Sequence, residues 1–157
     1  MLMGHEITAM NEDKRAQVRS NDVGFVFQSF HLLPRLSALD NVMLPLEFLG
    51  DKNAKKKSLE ALNQIGLEKR VKHLPNQLSG GEKQRVAIAR AMVKQPKILF
   101  ADEPTGNLDK TSTEVISDLL FSINRSFQTT IVIVTHDLLL AKNCETMHEL
   151  DEGSLKC

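Results

Sequence analysis

Ser79, Gly80 and Gly81 open a long amphipathic run, and this is an arrangement an anion can use. A helix start presents unpaired N–H groups and the positive end of the helix dipole, and glycines let an anion approach closely. Ser79 and Glu82 also spell S-x-x-E, so the same residues fit a capping box that binds nothing. A second candidate is the Asp102–Glu103 pair, which closes the apolar run "KILFAD". Asp102 suits Mg²⁺, held directly or through water, and Glu103 suits proton acceptance from an attacking water. Such a pair equally favours the start of a turn. His136 ends the β-branched run in "TTIVIVTHD", where a histidine also serves as a cap or a structural hydrogen-bond partner. Gln28 ends "VGFVFQ" and means little alone. Together, the three runs deliver Gln28, the carboxylate pair and His136 to what is expected to be one sheet edge, where α/β proteins bind ligands. The Ser79 helix start joins them.

The elements that must position these groups can be read from pattern. Residues 23–27 form a short buried strand. Residues 37–50 are mostly apolar, with Asn41 and Pro45. A helical pattern spans about 54–65 and stops at Gly66. Pro75 breaks the chain, Ser79 starts a helix to about residue 94, and Pro96 ends it. Residues 97–102 read as a fully buried parallel strand. A helix over 111–127 and a strand over 129–137 follow, and two short segments make a terminal hairpin. Alternating helices and strands argue for an α/β fold with a parallel sheet. The stretch 29–78 has no strand signal and reads as a mainly helical insert.

Length suits one core-bearing domain. The 20 basic and 20 acidic residues give zero formal charge, which argues against a nucleic-acid partner. Four lysines between residues 52 and 57 read as a solvated face. Two cysteines, Cys144 and Cys157, follow no metal spacing and imply a reducing compartment. No apolar run approaches the ~18 residues of a membrane span, and the N-terminus has no signal-peptide pattern. A cytoplasmic chain is expected, with any membrane role arising through a partner.

In this order, these residues resemble the nucleotide-binding domain of an ATP-binding cassette (ABC) transporter. "LSGGEKQ" resembles the family signature and "ILFADEP" the Walker B strand with its glutamate. "GNLD" resembles the D-loop, "TH" at 135–136 the switch histidine, and "FQ" at 27–28 the Q-loop. Finer markers, "FQSFHLLPRLSALDNVMLPL", "ADEPTGNLD" and "THDLLLAKNC", resemble the MacB and lipoprotein-release group of these ATPases. "FVFQSF", "HLPNQLSGG" and "DLLFSINR" resemble its YbbA type. DNA-repair and translation members fit less well, since Gln28 and Ser79 are only 51 positions apart and the chain has room for one cassette.

The resemblance implies ATP and Mg²⁺ as cofactors, with ATP sandwiched between two such domains. Ser79, Gly80 and Gly81 would contact the γ-phosphate of ATP held by the second subunit. Asp102 would serve Mg²⁺, Glu103 would polarise the attacking water, and His136 would touch the γ-phosphate. Gln28 would report on metal and γ-phosphate, and Asp109 would lie across the dimer interface. The partners would be an integral membrane permease and a second ATPase subunit, at the inner face of the cytoplasmic membrane. Residues 29–95 would form the helical subdomain, with 1–28 and 96–157 as the α/β core. One expected motif is missing: no G-x-x-x-x-G-K-[ST] loop occurs in the 157 residues. The resemblance therefore implies a partial P-loop NTPase-like domain, without the Walker A strand or the β-rich N-terminal part. Unpaired sheet edges and exposed apolar surface are the expected consequence, and a truncated, catalytically inactive chain is the alternative expectation.

Overall fold

The computed structural model describes residues 1, 4 and 6–156; Cys157 lies outside the described residues. Three parallel strands form the central sheet in the order β1 (Val23–Phe27), β2 (Ile98–Asp102), β3 (Thr130–Val134). Their register aligns Phe27 with Asp102 and Asp102 with Val134. The three strands thus end in one row, and the next residues of each chain segment share one edge. Between β1 and β2 run α2 (Ala38–Phe48), α3 (Ala54–Gln64) and α4 (Gly80–Met92), with no strand, as the sequence pattern predicts. Helix α5 (Lys110–Phe127) joins β2 to β3, and α6 (Leu138–Lys142) follows β3. The expected terminal hairpin is present as antiparallel β4 (Glu149–Asp151) and β5 (Ser154–Lys156).

Two hydrophobic clusters hold these elements. Val42 and Leu46 of α2, Leu62 of α3, and Val86 and Ala89 of α4 build one. Val26, Leu99 and Ala101 of the sheet, Ile88, Ala91 and Met92 of α4, and Ile116, Leu120 and Ile123 of α5 build the other. Helix α4 belongs to both, so opposite sides of it are buried.

Four sequence expectations change. Helix α1 (Glu12–Asp22) was not anticipated. It has no buried residue and no apolar stripe, and it rests on local signals: the Asn11 side chain accepts from Lys14 N, and Glu12 pairs with Arg15 and Arg19. Helix α4 stops at Met92, short of Lys94, and the turn after it carries Gln95 at φ 52°. Strand β3 ends at Val134, so Thr135 and His136 lie just beyond it.

Strand β2 is also not buried on both faces. Leu99 and Ala101 are covered, whereas Phe100 is half-buried and faces Phe25, with ring centroids 5.6 Å apart. Phe25, Val132 and Val134 are exposed. Helices cover one face of the sheet and leave aromatic and β-branched side chains open on the other, which agrees with the expected exposed apolar surface.

Truncation of a fully buried core side chain and of an exposed one separates these environments. Leu120→Ala is expected to cost ~2–5 kcal/mol in urea unfolding, because Leu120 is 0% exposed. Phe48→Ala should change stability by less than about 0.5 kcal/mol, since Phe48 is 81% exposed.

Candidate functional site

The strand-end row gives the site its framework. Glu103 follows β2 with φ 45°, a left-handed conformation that costs a non-glycine residue roughly 1–3 kcal/mol. Its N–H donates to Val134 O at 2.9 Å, tying the turn to β3. This conformation directs its carboxylate at the residues after β3. Oε1 accepts from His136 N at 3.0 Å and lies 2.8 Å from His136 Nδ1. Thr135 Oγ1 donates to Oε2 at 3.4 Å. Two of the sequence-predicted residues, Glu103 and His136, are thus in direct contact. They border an open cavity of about 470 Å³, further lined by Thr105, Gly106, Thr113 and Leu139. Asp102 closes β2 and is exposed.

Gln28 sits elsewhere on the same edge. Its Nε2 donates to Asn107 Oδ1, and Asn107 Nδ2 donates back to Gln28 O, both at 3.2 Å. A Cβ on Gly106 would lie 2.7 Å from Gln28 Nε2, so a side chain there would displace the glutamine amide from its place against this turn. Asp109 caps α5: its carboxylate accepts from Ser112 N at 2.9 Å and Ser112 Oγ at 2.7 Å. Those two donors hold its pKa below the usual value, the backbone N–H contributing more than the hydroxyl.

The Ser79 motif forms the capping box predicted from sequence. Ser79 Oγ accepts from Glu82 N at 3.2 Å, and Glu82 Oε2 accepts from Ser79 N at 2.8 Å. Arg70 Nε donates to Glu82 Oε1 at 2.9 Å. The Ser79 N–H first and Arg70 second hold the Glu82 carboxyl below its ordinary pKa. The glycines also have a packing reason. A Cβ on Gly81 would lie 2.8 Å from Ser112 Oγ, and one on Gly80 would lie 3.3 Å from Leu108. The start of α4 therefore packs on the 104–112 turn that also carries Gly106, Asn107 and Asp109.

One buried residue was missed by sequence reading. Gln84 is 0% exposed, and its Nε2 donates to Pro104 O at 2.6 Å while its Oε1 has no partner. A polar residue on the buried side of an amphipathic helix is a usable sequence signal, but its partner is 20 positions away.

A family model described as "ABC transporter" matches residues 2–106. The chain belongs to the ABC transporter ATP-binding family. The ABC transporter ATP-binding protein YbbA of Escherichia coli is 52% identical over 157 residues, covering 99% of this chain and 69% of that protein. The lipoprotein-releasing system ATP-binding protein LolD of Legionella pneumophila is 49% identical, over 93% of this chain and 65% of LolD. The macrolide export ATP-binding/permease protein MacB of Chlorobaculum tepidum is 45% identical over 97% of this chain and 23% of MacB. Among solved structures, the dimeric ATP-binding cassette MJ0796, bound to ADP and phosphate after hydrolysis, superposes with a TM-score of 0.83 at 41% identity. That match covers 95% of this chain and 67% of the MJ0796 chain. The ABC chain thus spans about two thirds of the length of YbbA, LolD and MJ0796. No helix among its described residues is long and apolar enough to cross a membrane.

Two measurements check the ABC signature helix. Ser79→Ala should lower unfolding stability by ~0.5–2 kcal/mol through loss of the cap. Glu82 has a depressed folded pKa, so its contribution is present above the unfolded carboxyl value of about 4.3 and is lost as pH falls through the lower folded value. The stability difference between wild type and Glu82→Gln should be constant at neutral pH and shrink only in that acid window.

Proposed function

We propose that the chain carries the hydrolytic edge and the signature helix of an ATP-hydrolysing subunit serving a membrane permease. The observation that carries this reading is the Glu103 carboxylate, held by the His136 N–H and ring beside an open cavity at the C-terminal edge of a parallel sheet. A carboxylate oriented in this way can accept the proton of an attacking water. His136 keeps it in place and is poised to contact the terminal phosphate. ATP would supply the phosphoryl group that is transferred to water, in chemistry dominated by positioning and charge stabilisation.

The fit to Mg²⁺-ATP is partial. No group of three or more metal-ligating side chains occurs among the described residues. A single carboxylate, Asp102, matches the way Mg²⁺ is held by one or two carboxylates together with substrate phosphates. Gln28 lies on the same edge and would complete the metal's surroundings. Ser79, Gly80 and Gly81 offer a helix N-terminus to the γ-phosphate of ATP held by a second cassette, and Asp109 would face that cassette. Residues fitting the γ-phosphate and its metal are thus present, whereas the Gly-rich cradle motif for the other phosphates does not occur in these 157 residues. We assign residues 29–95 to the helical subdomain and 1–28 with 96–157 to the α/β core. The names of the relatives support a permease of the lipoprotein-release or MacB kind, and in this proposal the chain sits on the cytoplasmic face of the membrane.

A second reading rests on the capped Ser79 helix start alone: the chain only lends its signature to a loop-bearing cassette. ATP turnover by the chain, alone and mixed with such a cassette whose own signature serine is replaced, distinguishes the two. The main reading expects Glu103→Gln to lower turnover by ~10²–10⁴-fold. Turnover that needs Ser79 and ignores Glu103 supports signature donation alone. Turnover that depends on neither residue rejects both.

A further inference from the structure

The turn after Gln28 holds an unusual backbone. Phe30 and His31 are consecutive non-glycine residues with φ 61° and 47°, conformations that persist only where the surroundings impose them. Local bonds go part of the way: Phe30 N donates to Phe27 O at 3.1 Å and His31 N to Ser29 O at 2.6 Å. The His31 ring stacks on Phe27 at 4.8 Å. The remaining constraint comes from α4, about 60 residues along the chain. Arg90 Nη1 donates to His31 O at 2.7 Å and Nη2 to Phe30 O at 3.0 Å. The planar fork of a guanidinium meets both carbonyls at once, which a lysine ammonium cannot reproduce. Burial lowers the Arg90 pKa, and no carboxylate offsets it, so the cation is kept in this place by carbonyl oxygens.

Arg90 is also well placed in the fold. It lies on the helix that Ser79 caps, three turns from the signature. Its neighbours Ala89 and Ala91 pack into the two different hydrophobic clusters, so the helix is fixed on both sides at this level. The Gln28 end of the turn is bound separately by Asn107, on the turn that carries Asp109.

We propose that Arg90 is a positioning residue for Gln28: it fastens the Gln28 turn to the signature helix, so that the two move as one unit. A displacement of α4, when a second cassette engages Ser79, would then be delivered to the residue facing the metal. The inference rests on the reading of Gln28 given under the proposed function.

Amide exchange of the chain without nucleotide tests the fastening itself. In Arg90→Lys and Arg90→Met, the Phe30 and His31 amides should exchange about tenfold faster, the factor for loss of charge-assisted hydrogen bonds to a buried group. Amides of residues 86–89 in α4 should keep their wild-type rates. Unchanged rates at Phe30 and His31 would overturn the proposal, as would an equal acceleration throughout α4, which marks a packing role only. This arm needs no ATP and so stands apart from the hydrolytic reading. In an assembled cassette pair that turns over ATP, Arg90→Lys should raise the KM for Mg²⁺ about tenfold with a much smaller change in kcat. A fall in kcat with an unchanged Mg²⁺ KM would contradict the link to Gln28.

Discussion

Helix α4 is the element on which the rest of this structure depends. Seven of its residues are buried, and five of them divide between two clusters that otherwise share no helix. Val86 and Ala89 close the cluster of α2 and α3, while Ile88, Ala91 and Met92 close the one against the sheet and α5. A helix buried on both sides cannot shift without disturbing both packings, because protein interiors are close-packed and respond as units. Its first turn is pinned by the Ser79–Glu82 capping box and by Arg70, and its glycines lie against Leu108 and Ser112. The signature of this ABC domain is thus a rigid presentation of a helix start.

The sheet supplies the second constraint. Parallel pairing in strict register sets Phe27, Asp102 and Val134 side by side, and everything chemical lies one or two residues further on. Glu103 then departs from ordinary backbone geometry, and that departure turns its carboxylate toward His136. The strain is offset by the Glu103 N–H bond to Val134 O and by the hydrogen bonds its carboxylate accepts. Both faces of the sheet bear apolar residues, yet helices cover one. The Phe25–Phe100 stack and the exposed Val132 and Val134 put apolar side chains on the open face, and among the described residues β3 pairs only with β2.

Much of this was legible from residue order. Strands β1 and β2, helices α3 and α5, the capping box at Ser79 and the terminal hairpin all follow from periodicity, caps and breakers, which act within a few residues. The same holds for the positions of Gln28, Asp102 and Glu103 at the ends of β1 and β2, and for the family itself, because motifs such as "LSGGEKQ" are local. Helix α1 escaped notice because its stability rests on charge pairs and a cap, with no apolar stripe to reveal it. The shortened β3 and the open face of β2 escaped for a different reason: apolar runs report what can be buried, and neighbours decide what is.

Sequence by itself determined which side chains are available and which element ends they occupy. Tertiary structure alone decided their partners. Glu103 with His136, Gln28 with Asn107, Gln84 with Pro104 O, and Arg90 with the Phe30 and His31 carbonyls are separated by 33, 79, 20 and about 60 positions. Local propensity carries no information over such distances. These contacts exist because parallel register and the burial of α4 bring distant chain segments to within hydrogen-bond length, where direction and desolvation select the partner.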